Sequence, residues 1–84
     1  MKPKEEEKQV EIIVNGIAKL VEKEKLSYRD VVELEFGAFD PSPNVVYTVT
    51  YSKGIHDSKG SLVDGMEVMV HKRMVFHVTK TDKS

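Results

Sequence analysis

Eighty-four residues, 39% of them apolar and 32% charged, make at most one small domain with a thin core. A net charge of −1 lends no support to nucleic-acid binding. The absence of cysteine excludes disulfides, thiolate metal sites and thiol nucleophiles, and fits a cytoplasmic protein.

Residues 1–9 (MKPKEEEKQ) are almost all charged or polar and read as a disordered arm without the apolar centre of a signal peptide. No later apolar run approaches the ~20 residues of a membrane span, so no membrane partner is expected. Val10–Val14 alternates as a strand, with Val10, Ile12 and Val14 on one face. Asn15-Gly16 is a hairpin turn signal, and Ile17–Val21 returns as the second strand. Glu22–Lys25 is a charged connection. Ser27 and Asp30 form a variant capping box that opens a helix running to about Phe36, and Gly37 stops it. Val31, Val32, Leu34 and Phe36 give that helix its apolar face.

Phe39–Asn44 is a stiff polar turn, and Val45–Tyr51 alternates strictly as a third strand. Ser52–Ser61 reads as a polar loop and Leu62–Gly65 as a turn. Met66–Val70 reads as a fourth strand and Met74–Val78 as a fifth. The expected core set of the first, fourth and fifth strands is Val10, Ile12, Val14, Met66, Val68, Val70, Met74, Phe76 and Val78. The order of elements predicts an α+β fold: a mixed five-stranded sheet with one helix on one face, the β-grasp arrangement. The domain is expected over residues 10–78, with residues 79–84 as a flexible tail.

The chain resembles the ubiquitin-like superfamily and, more closely, the bacterial multiubiquitin β-grasp domains. The residues that carry the resemblance are EIIVNG (11–16), SYRDVVEL (27–34), PNVVYTVTY (43–51), GSLVDGMEVMV (60–70) and MVFHVTKTDKS (74–84). The VNG hairpin and the L-x-DG turn are also found in the sulfur carriers of thiamin and molybdopterin synthesis. The resemblance implies a protein modifier rather than an enzyme. No cofactor would be bound. A partner activating enzyme would spend ATP on the C-terminal carboxylate, and a conjugating enzyme would pass it to target proteins. A JAB-type peptidase is the remaining partner implied, and antiphage defence is the implied setting. The chain departs from ubiquitin at its end, where Thr-Asp-Lys-Ser stands in place of Gly-Gly.

Two candidate sites follow. The first is the tail Thr79, Lys80, Thr81, Asp82, Lys83 and Ser84, up to ~20 Å long if extended. By itself such a polar stretch reads as a frayed end. The resemblance makes it the presented conjugation tail. The second is an apolar patch around a histidine on the outer face of the sheet, formed by Ile13, Val46, Met69, Val75 and His77. His56, His71 and His77 lack metal-ligand spacing, and no nucleophile elbow or phosphate loop is present. A non-covalent β-grasp binding module is the alternative reading. A sulfur carrier is a weaker one, because no Gly-Gly pair occurs.

Overall fold

The Asn15-Gly16 dipeptide sets the first pair of strands. In the computed structural model, which describes residues 9–82, both residues are left-handed, at φ 51° and 84°. Such a pair is what a two-residue hairpin turn matched to the strand twist requires. It fixes the register of β1 (Val10–Val14) against β2 (Ile17–Val21), from Val14 opposite Ile17 to Val10 opposite Val21. A short β3 (Lys25–Ser27) leads directly into α1 (Tyr28–Phe36). After it come β4 (Val45–Ser52), β5 (Gly60–Leu62), β6 (Glu67–Met69) and β7 (Val75–Asp82).

The capping box opens the helix as its sequence demands. The Asp30 N–H donates to Ser27 Oγ at 3.1 Å, and the Ser27 N–H donates back to the Asp30 carboxylate at 3.0 Å. Partial burial pushes the Asp30 pKa upward. The hydrogen bonds from Ser27 and the Lys23 ammonium at 3.0 Å outweigh that and leave it below its ordinary value of 3.8. A carboxylate whose pKa is lowered by folding stabilises the fold above its unfolded pKa, and that contribution is lost as pH falls through the folded value. Ser27→Ala is therefore expected to cost about 1 kcal/mol in urea unfolding near neutral pH. The Ser27 N–H and the Lys23 ammonium that hold the Asp30 carboxylate remain in this variant, so the Asp30 pKa should stay below its ordinary value by NMR; a rise to the ordinary value would show that the Ser27 side chain holds the carboxylate. At the other end Gly37 is left-handed, and its N–H closes the helix on Glu33 O at 2.8 Å.

The main sheet runs β2-β1-β7-β4-β5, with β7 in the centre between the first strand and β4. β1 and β7 are parallel, and the other neighbours are antiparallel. The helix covers one face. Ile12, Val14, Val31, Val32, Met74 and Phe76 are wholly buried there, with Leu26, Val49, Leu62 and Val78 nearly so. Tyr28 enters the same core and donates its hydroxyl to Tyr47 O at 3.2 Å.

Four expectations are corrected. The segment Met66–Val70 does not join the main sheet. Its centre is β6, paired with β3 so that Leu26 faces Val68. The central slot is taken by β7, and the shorter segment closes the rim instead. Met66, placed in the core by its alternation, is 46% exposed, while Val68 and Val70 are half-buried against the core. Second, the loop expected over Ser52–Ser61 contains a single 3-10 turn at Ile55–Asp57 and the start of β5. β5 crosses Tyr51 at Gly60, where a Cβ would stand 3.0 Å from the Tyr51 hydroxyl. Third, Lys25 belongs to β3 rather than to a charged connection. Fourth, the last strand does not stop at Val78 but runs on to Asp82. The charged arm expected over residues 1–9 lies, Gln9 apart, outside the described residues. Among the described residues no helix is long and apolar enough to cross a membrane.

Candidate functional site

β7 changes partners along its length while staying in the sheet. Its first half lies between two partners. Met74 O and Phe76 O accept the N–H groups of Ile13 and Asn15, both at 2.9 Å. At Val78 the β1 backbone has already turned away into the hairpin. The Asn15 side chain takes its place, as an amide carries the same donor and acceptor as a peptide group. Asn15 Nδ2 donates to Val78 O and the Val78 N–H donates to Asn15 Oδ1, each at 2.9 Å.

Beyond that point Thr79–Asp82 have, among the described residues, one strand partner. They pair with β4, Thr79 opposite Thr48, Lys80 opposite Tyr47, Thr81 opposite Val46 and Asp82 opposite Val45. The tail expected to be flexible from Thr79 is thus, through Asp82, a strand whose four residues are all exposed. The physical reason lies in β4. Its eight residues extend past the β1 hairpin and offer a ladder to polar residues that could not hold a strand alone. Thr79 and Thr81 share the outer face, and Lys80 and Asp82 the helix face. Lys83 and Ser84 lie outside the described residues.

The outer-face patch is also redrawn. Ile13 and Val75 are direct cross-strand neighbours, both half-buried, and His77 follows on the same face opposite Thr50. Val46 does not join them. It faces Thr81, six residues along β4 from the Ser52 that faces Val75, or ~20 Å away. Met69 is in the other sheet, opposite Lys25. Two neighbours were missed. Ala18 faces Ile13, and Leu20 faces Glu11 on the same side and is 65% exposed. The Asn15-Gly16 turn fixes that register, so the sequence did contain the signal. The patch that the structure brings together is Leu20, Ala18, Ile13 and Val75, with His77 at its border.

The other histidines are apart from both features. His56 lies in the 3-10 turn at φ 58°. His71 shares a shallow cleft of about 420 Å³ with Lys53, Asp57, Lys72 and Arg73. Among the described residues no three histidines or carboxylates converge as metal ligands. Arg29 ties the helix start to the turn after β5, with its Nε 3.2 Å from Asp64 and its guanidinium 4.4 Å over the Phe39 ring.

A comparison with known protein families matches the chain to the family described as Multiubiquitin over residues 10–82. No curated protein and no solved structure matches the chain.

Proposed function

The chain belongs to the Multiubiquitin family, and from that premise we propose that it is a ubiquitin-like protein modifier, the substrate of a conjugation cascade rather than its catalyst. The observation that carries the reading is the family match across the whole β-grasp domain, 10–82. A partner activating enzyme binds ATP, and the carboxylate at the end of the mature chain attacks the α-phosphate. Pyrophosphate leaves and an acyl-adenylate forms. A conjugating enzyme and then a target amine or hydroxyl take the acyl group, AMP leaves, and an amide or ester remains. A JAB-type peptidase reverses the bond. The cascade acts in the cytoplasm, and by family association it serves antiphage defence.

The strand geometry shapes how the end is offered. The β4 ladder holds Thr79–Asp82 extended on the sheet, so that a partner meets a preformed strand instead of a free coil. Ordering such a segment in advance removes part of the entropy cost of binding. The apolar group Leu20, Ala18, Ile13 and Val75 supplies the surface on which the activating or conjugating enzyme docks. Val75→Asp is expected to keep the fold, because Val75 is only half-buried on the outer face, and to weaken enzyme binding at least about tenfold. Unchanged affinity in calorimetry would remove the patch from the account.

A second reading is a non-covalent β-grasp module. The same ladder favours it, because it ties the expected tail to the sheet as far as Asp82. Deleting Lys83 and Ser84 separates the two. The modifier loses activation with its cognate enzyme and ATP, whereas the module binds its partner as before.

A further inference from the structure

We infer that the free edge of β7 beyond Val78 pairs with the same edge of a second copy of this chain, in one register. The inference stands on the sheet alone and does not depend on the conjugation reading. Strand residues direct their backbone groups alternately to the two edges. Val78 turns its N–H and C=O toward the β1 side, where the Asn15 side chain takes both. Lys80 and Asp82 therefore turn theirs to the same side. β1 pairs with β7 only at Val75 and Phe76, so no described strand stands beside Lys80 or Asp82. An unpaired edge of this kind is a template for strand addition.

The side chains select the occupant. A two-fold axis through Thr81 sets Lys80 opposite Asp82 of the second copy and Asp82 opposite its Lys80. Both pairs are of the kind that exchange two backbone hydrogen bonds, because all four residues face the shared edge. Both also bring opposite charges together on the helix face. On the outer face Thr81 meets Thr81 of the second copy, a favourable cross-strand pair, flanked on each side by Val46, which is 37% exposed. The competing registers set Lys80 against Lys80 or Asp82 against Asp82, and like charges directly opposite are unfavourable. The hairpin at Asn15-Gly16 blocks pairing at Val78 and above, so that the overlap is short and the association is of the weak, transient class.

The test is sedimentation velocity on the full chain from about 10 μM to about 1 mM, the range of a weak interface. The wild type is expected to shift from its 9.5 kDa monomer toward a dimer. Lys80→Glu alone and Asp82→Lys alone should each weaken dimerisation at least about tenfold. The double variant should restore it, and so should mixing the two single variants, since the mixed pair again sets opposite charges face to face. Lys80→Pro removes one edge N–H that β4 does not use, so it should fold and remain monomeric. A wild-type monomer at about 1 mM overturns the inference. So does dimerisation of both single variants at wild-type strength, or protection of the Lys80 and Asp82 amides only when another protein's strand is added.

Discussion

Phe76→Ala is expected to cost about 4 kcal/mol of stability. A domain of this length holds about 4–13 kcal/mol in total, so the loss is between about a third and all of it. The residue is wholly buried at the centre of the sheet, with Val14 on one neighbouring strand and Tyr51 on the other. Its ring lies 6.3 Å from that of Tyr51. Its removal leaves a cavity between helix and sheet that the strands, locked on both sides by backbone bonds, cannot close. Urea unfolding followed by circular dichroism measures it. Phe76→Leu keeps most of the volume and should cost less than half as much. Equal costs would mean that the site collapses freely and that Phe76 is not the centre of the core.

Asn15→Ala is the second large effect, about 2–5 kcal/mol from two sources. The two hydrogen bonds to Val78 contribute about 0.5–1.5 kcal/mol each. The left-handed backbone at φ 51° costs an alanine about 1–2 kcal/mol more. Asn15→Gly separates the two, because glycine tolerates the backbone and lacks only the hydrogen bonds. Hydrogen exchange at the Val78 amide should quicken in both variants, while the core amide of Phe76 stays protected in the glycine variant. A protected Val78 amide in Asn15→Gly would show that the side chain does not close the ladder. The consequence reaches the candidate site. Asn15 marks where β7 changes from a strand with two partners to a strand with one.

The parts of this fold that were legible in the sequence share one property: their signals are local. Asn15-Gly16 announces its own hairpin, Ser27 and Asp30 their own helix start, and Val45–Tyr51 its own alternation. β3, β5 and the outer half of β7 have no such signal. Three residues carry no period, and Thr79–Asp82 is polar on both faces. Each becomes a strand because another strand leaves an edge open beside it. β6 shows the complementary failure. Its alternation was visible, but alternation does not say which sheet a strand joins, and Met66 went to solvent as a result.

The candidate site divides in the same way. Ile13, Val75 and His77 were brought together by strand order, whereas Val46 and Met69 needed register and sheet membership. Asn15 was legible as a turn residue. Its bond to Val78 was not, since 63 positions separate the two.

The most direct test of the modifier reading is intact-protein mass spectrometry after incubation with the cognate activating enzyme and ATP. An adduct of one adenylate on the carboxyl end of the mature chain is expected. In the presence of the conjugating enzyme and a target, transfer with release of AMP is expected. An unchanged mass in the presence of active enzyme and ATP, identical to that of the chain lacking Lys83 and Ser84 apart from those two residues, would contradict the modifier reading.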